Sequence, residues 1–280
     1  MSDPTEHDQQ IAVAIHHAGW RTGSACSTEC LDWHRQRMPQ WVSEELDARP
    51  SEIWVPFVSS QACDIVHGSL VDEPHAEFIL GRLGVPENTG IALKKSYRRL
   101  QLRHPTKQFA EFRVHDRWLV GRADLVGLPR AVDLDLAWND GIDLAKWIGG
   151  RYSRYPLPNS LAERMQYNAG KQREWLKRLT AEVEEIRVLV SPPERELEDH
   201  ETYNVVLYVI ARRPLSEKAK VAYDSFKAWI SGLKGVTAQV HLETADKFSY
   251  ATFKGTQRLD LDALTFGYLG GPNGAVPVGE

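Results

Sequence analysis

The sequence predicts an α+β protein with an N-terminal small bent β-sheet or barrel, a central helix and a C-terminal α+β unit. Three observations carry this expectation. Short β-branched and aromatic runs crowd the first half, a long amphipathic segment with helical spacing follows, and the last third reads strand, strand, helix, strand. The 280 residues suffice for one large domain or two of ordinary size. The change of character near residue 185 divides the chain into 1–185 and 186–280.

Taken in order, Gln9 to Ala18 reads as a short helix stopped by Gly19, and Leu31 to Ala48 as an amphipathic segment ended by Pro50. Ile53 to Val66 is the first strong strand signal, and Pro56 within it marks an edge or a bulge. Strands are expected at Glu77–Val85, Ser96–Leu102, Phe109–Val114 and Arg117–Val120, which together make a bent sheet or barrel. Ile142 to Gly149 reads as a helix ending at the Gly149–Gly150 pair. Ser160 to Glu185 is the central helix, with Ser160 and Glu163 as a capping box. Ile186–Val190, Tyr203–Ala211 and Val236–Leu242 are strands. Between the last two lies a helix over Leu215–Leu233 that Ser216 starts and Gly235 ends.

Composition narrows the class. Hydrophobic residues at 42% and charged residues at 26% describe a folded globular chain rather than a disordered one, and nine tryptophans supply aromatic anchors for a core. A net charge of -4 excludes a uniformly basic nucleic-acid coat but permits a local basic patch. Three cysteines, Cys26, Cys30 and Cys63, make no disulfide framework. The polar N-terminus has no signal-peptide pattern and no apolar run reaches membrane length, so a cytoplasmic protein with no membrane partner is expected.

The densest charge feature is Lys94 to Arg117. Lys94, Lys95, Arg98, Arg99, Arg103, Lys107, Arg113 and Arg117 stand there against Glu111 and Asp116, with Tyr97, Phe109, Phe112 and Trp118 interleaved or adjacent. Cations neutralise phosphates and aromatic faces stack on unpaired bases, so the composition suits single-stranded nucleic acid. The same alternation also describes a solvated basic hairpin whose aromatics enter the core. A second candidate is GGRYSRYPLP, Gly149 to Pro158, which sets Arg151 and Arg154 on a Gly-entered, Pro-exited loop suited to gripping an anion, or serves as a linker. The third is SSQACDIV, Ser59 to Val66, where Gln61, Cys63 and Asp64 form a candidate polar site at a strand end. A carboxylate beside a thiol opposes the thiolate, so Cys63 reads as a buried structural cysteine.

Metal and cofactor signals are weak. Cys26-x3-Cys30 lacks zinc-knuckle spacing, and His75-Ala76-Glu77 has no Pro-Cys-x-x-Cys after it. Asp133, Asp135, Asp140 and Asp143 do not meet the calcium-loop pattern. Asp64 and Glu77 with Lys94 or Lys95 make a two-metal nuclease site conceivable, without the carboxylate-x-lysine signature. Phosphate-loop, dinucleotide and nucleophile-elbow motifs are missing, so no cofactor and no metal is expected.

SSQACDIV resembles the Ser-Gln-x-Cys-Asp-Ile-Val signature of a poorly characterised group of prokaryotic proteins. Gly150 to Pro158, GRYSRYPLP, is similar to the Arg-Arg-Phe-x-Arg-x-x-Phe-Pro segment that follows it there. The matching positions are Ser60, Gln61, Cys63, Asp64, Arg151, Arg154 and Pro158. The strand order is also similar to the PemK/MazF-like barrel of endoribonuclease toxins. The corresponding PSEIWVPFVSS lacks the arginine on which those toxins depend. The resemblance implies a setting in mobile-element or phage-defence biology. The functional expectation is an intracellular nucleic-acid-associated protein that binds single strands through a basic aromatic surface. Its rivals are a non-catalytic protein-interaction subunit whose partner supplies the activity, and a metal-dependent nuclease.

Overall fold

The computed structural model describes residues 4–88, 91, 96–152, 157–165, 171–193 and 195–259, with backbone alone at 151, 152, 171–174 and 177. The fold is mixed α+β, as expected. It comprises two compact units, Met1–Tyr152 and Ser153–Glu280. This division falls ahead of the boundary expected near residue 185, because the central helical segment packs with the C-terminal sheet and shares its core.

In the first unit, strands β1 (Ile53–Val58), β2 (His75–Leu83), β3 (Arg99–Arg103) and β4 (Phe109–Gly121) form an open antiparallel sheet in the order β1-β2-β4-β3. Pro56 sits on edge strand β1, where its carbonyl accepts the Cys26 N–H at 2.8 Å. The two short strands expected at 109–114 and 117–120 are one long β4. A register shift between Ile79 and Gly81 of β2 supplies the bend. Gly81 is required there, since a Cβ would lie 2.6 Å from the Phe57 ring and 2.8 Å from the Phe112 ring.

Both faces of this sheet are covered. Helices α1 (Glu6–His17), α2 (Leu31–Arg35) and α3 (Gln40–Ala48) bring Ile15, Val42 and Leu46 onto Trp54, Phe78 and Trp118. The segment expected as one amphipathic stretch over 31–48 is two helices, with Pro39 as N-cap of the second. A four-residue turn α4 (Ala62–Ile65) follows β1, so the strand signal expected to run to Val66 ends at Val58. On the other face, helix α5 (Trp138–Tyr152) packs Leu144, Trp147 and Ile148 against Phe57, Leu100 and Phe112. The buried Trp147 indole donates to the Ser96 carbonyl at 2.6 Å and anchors the helix, which continues through Gly149 and Gly150 instead of ending there.

The second unit holds α6 (Asn159–Arg164), α7 (Lys171–Glu182), β5 (Val183–Ser191), β6 (Tyr203–Ala211), α8 (Glu217–Ser231), β7 (Val236–Thr244), α9 (Tyr250–Gly255) and β8 (Gln257–Arg258). Its sheet has the order β7-β6-β5-β8, with β6 and β7 parallel across the α8 crossover. The central helix expected over 160–185 is divided into α6 and α7, and its last residues are already β5. Ser160 is not a cap. Its hydroxyl donates to Glu196 at 2.7 Å and contacts the Tyr203 hydroxyl at 2.8 Å, while Pro158 precedes the helix. Ser216 does cap α8, and its own N–H and hydroxyl are held by Glu182 at 2.8 and 2.5 Å. Those hydrogen bonds hold the Glu182 carboxyl below its usual range. Trp175 of α7 meets Phe226 and Trp229 of α8, each at 5.9 Å, over a core of valines and leucines from β5, β6 and β7.

Candidate functional site

Three of the cations in the basic hairpin, Arg99, Arg113 and Arg117, are paired internally. Arg99 pairs with the buried Glu111 at 2.7 Å, and Arg82 bridges Glu111 and Glu52 at 3.2 and 2.8 Å. Arg113 pairs with Glu45 at 2.5 Å and Asp116 at 3.0 Å, and Arg117 grips both oxygens of Glu77 at 3.0 and 3.1 Å. Burial works to raise the Glu45 carboxyl, but the Arg113 hydrogen bond and charge hold it below its ordinary value. Tyr97, Phe112 and Trp118 are buried and offer no face to a base. Arg98 and Arg103 are exposed, with Arg103 lying 5.8 Å from the Phe109 ring centroid. Lys94 and Lys95 lie outside the described residues, as do Arg154 and the side chain of Arg151. The Arg151 backbone continues helix α5 rather than forming the extended loop expected from Gly149 onward.

The SSQACDIV segment is latched in place from both ends. Ser59 donates its hydroxyl to Glu77 at 2.8 Å, and the Ser60 hydroxyl accepts the Glu77 N–H at 2.7 Å. Arg122, buried completely, donates to the carbonyls of Asp64 and His67 at 3.1 and 2.5 Å. Its burial, with no carboxylate in contact among the described residues, lowers its pKa. Cys63 is exposed, not buried as expected, because it sits in the helical turn α4 where Ile65 is the residue that enters the core. Its thiol donates to Asp64 at 3.2 Å, and this hydrogen bond pushes its pKa up, so it rests protonated as anticipated.

Beside this turn lies a cleft of about 420 Å³. Gln61 and Ala62 form one wall, Arg21 and Thr22 the second, and Trp138, Ile142, Ala145, Lys146 and Gly149 of α5 the third. The α5 residues recur at helical spacing on the side away from Leu144 and Trp147, so one helix serves core and cleft together. The Thr22 hydroxyl donates to the Ser60 carbonyl at 2.7 Å and ties the Arg21 loop to the Gln61 turn. Gly141 lets α5 approach that loop, since a Cβ there would lie 2.5 Å from the Thr22 carbonyl oxygen.

The electrostatics of the cleft differ from those of the hairpin. Arg21 donates to the carbonyls of Thr22 and Leu136 at 2.9 and 2.7 Å, and its guanidinium lies 5.5 Å from the Trp138 ring centroid. Neither Arg21 nor Lys146 has a carboxylate partner among the described residues. Trp138 is 62% exposed at the mouth. Two cations without a carboxylate partner among the described residues, an open aromatic face and a primary amide thus share one concavity, which suits an anion attached to a flat ring. Among the described residues no three His, Cys, Asp or Glu side chains group to hold a metal. No helix of the described residues is long and apolar enough to cross a membrane.

Of the residues singled out from sequence, Gln61 lines this cleft. Arg21, Trp138 and Lys146 were missed. The signal for Trp138 and Lys146 was a second stripe on α5, Trp138-Ile142-Ala145-Lys146-Gly149, running beside the core stripe and too mixed in polarity to read as either face; Arg21, in a loop, carried none. No family model, curated protein or solved structure matches the chain, so the cleft is read from its own geometry.

Proposed function

We propose that the chain is a nucleic-acid-associated protein that binds single strands at the Arg21–Trp138–Lys146 cleft of its first unit. An unpaired base stacks on Trp138, the adjoining phosphate lies between Arg21 and Lys146, and the Gln61 amide meets a base edge. The observation that carries the reading is Arg21, oriented by two carbonyls against an exposed indole and without a carboxylate partner among the described residues. Its carbonyl anchors fix the guanidinium before any anion arrives, which lowers the ordering cost of binding. The prokaryotic mobile-element or phage-defence setting comes from the sequence resemblance alone.

The test is fluorescence anisotropy with labelled single-stranded oligonucleotides across a salt series. Trp138→Ala is expected to weaken binding by roughly ten- to a hundredfold, the value of one stacked base. Arg21→Ala with Lys146→Ala is expected to reduce the slope of log affinity against log salt by about 1 to 1.5. Arg103→Ala on the hairpin is the control that leaves affinity unchanged. Binding insensitive to all three cleft substitutions, or independent of salt, overturns the proposal. A protein-interaction module is the second reading, favoured by the apolar Val132 (67% exposed) and Ile142 (38% exposed) on the same unit.

A further inference from the structure

Sheet edges expose unpaired backbone groups, and proteins usually blunt them. This chain blunts three of its four described edges. Along β1, Pro56 removes a donor, and Gly23, Ser24 and Cys26 cover its second half through hydrogen bonds to Val58 and Pro56. Strand β8 is two residues long. Strand β3 is five residues long and carries arginine at both ends. The remaining edge, β7, is nine residues long with no proline, no lysine and an unbroken register against β6.

The direction of each β7 backbone group follows from its neighbours. The Gly235 carbonyl accepts from Tyr203 at 3.0 Å, and the Ala245 N–H donates to Ala211 at 3.0 Å, so odd-numbered residues face β6. Even-numbered residues therefore face outward: Ala238, Val240, Leu242 and Thr244 direct their N–H groups at the open edge. The Tyr223 hydroxyl reaches the Val240 carbonyl at 3.1 Å, in agreement with this direction, and leaves one lone pair of that oxygen free. Leu242 is 39% exposed beside this edge.

We infer that β7 is a homodimerisation edge, pairing antiparallel with β7 of a second copy about a two-fold axis at Val240. The sequence VTAQVHLET is complementary to itself in that register. Val240 meets its symmetry mate, and Ala238 meets Leu242 of the second copy on the helix-covered side. Gln239 meets His241, and Thr237 meets Glu243, on the opposite side. No like charges oppose, and every pair that faces inward in the doubled sheet joins small or apolar residues. Ala238, Val240 and Leu242 exchange both backbone hydrogen bonds with their partners, the close-pair geometry of an antiparallel ladder. The result is an isologous interface that closes the exposed edge of both copies at once. It lies in the second unit and is independent of the nucleic-acid reading.

Sedimentation velocity of the full chain over a concentration series tests it, with circular dichroism as the check on folding. The expected result is a monomer–dimer equilibrium. Leu242→Lys keeps the intramolecular ladder intact and places a lysine on each side of the axis. Because the change occurs twice across the interface, it is expected to raise the dimer dissociation constant by roughly tenfold or more. Ala238→Pro removes an outward N–H that β6 does not use and acts in the same direction through a different mechanism. A wild-type chain that remains monomeric throughout, or a dimer that both folded variants leave unweakened, overturns the inference.

Discussion

Acidification has a specific target in the first unit. His34 is completely buried, with its ring 4.7 Å from Phe78, 4.9 Å from Trp33 and 5.5 Å from Trp118. Its Nδ1 accepts the Trp118 indole N–H at 3.2 Å, which fixes the neutral tautomer with the proton on Nε2, an atom with no partner among the described residues. Burial, seconded by the positive charge of Arg37, lowers its pKa from 6.5 to about 4. The folded state therefore binds the proton less readily than the unfolded chain. Its contribution is fully present above pH 6.5 and is lost as pH falls toward 4. At about 1.4 kcal/mol per tenfold, the whole effect is of order 3 kcal/mol, and roughly 2.5 kcal/mol of it is gone by pH 4.5. For a unit of this size that corresponds to a fall in melting temperature of roughly 5–10 °C beyond the loss from other groups.

The assay is differential scanning fluorimetry from pH 7.5 to 4.5 on the wild type and on His34→Asn, whose amide oxygen can still accept from Trp118 but does not titrate. His34→Asn starts lower at neutral pH because it leaves a small void, and its disadvantage narrows and then reverses on acidification. Parallel profiles for the two proteins across the whole range would refute the argument.

Two further expectations concern the cleft wall. Asp64→Asn removes the carboxylate that holds the exposed Cys63 thiol protonated, so labelling by a thiol-specific disulfide reagent at pH 7.5 should quicken by roughly threefold or more; an unchanged rate would mean that exposure alone governs reactivity. Gly141→Ala forces a Cβ onto the Thr22 carbonyl oxygen, and overpacking of this kind costs about 1–3 kcal/mol. The measured signature is a lower melting temperature together with weaker oligonucleotide binding, and a neutral result in both would show that α5 does not need this close approach.

Local order is what the sequence alone could determine. The α8 helix with its Ser216 cap, the strands around it and the Pro56 edge were all readable, because capping, alternation and proline chemistry act within a few residues. Where short-range signals competed, position shifted: Pro39 divided one expected amphipathic segment into two helices, and α5, anchored by Trp147 to Ser96, ran on through two glycines. The site belonged to the tertiary structure. A run of arginines between Lys94 and Arg117 looks like free charge until Glu45 and Glu77, remote in sequence, are folded onto Arg113 and Arg117, and strand pairing sets Arg99 against the run's own Glu111. Cys63 looked buried because its neighbours are apolar, yet a four-residue turn set it on the surface. Arg21, Gln61 and Trp138 acquire meaning only when three remote segments converge. Charge compensation and concavity are properties of distances in space, and no spacing along the chain encodes them.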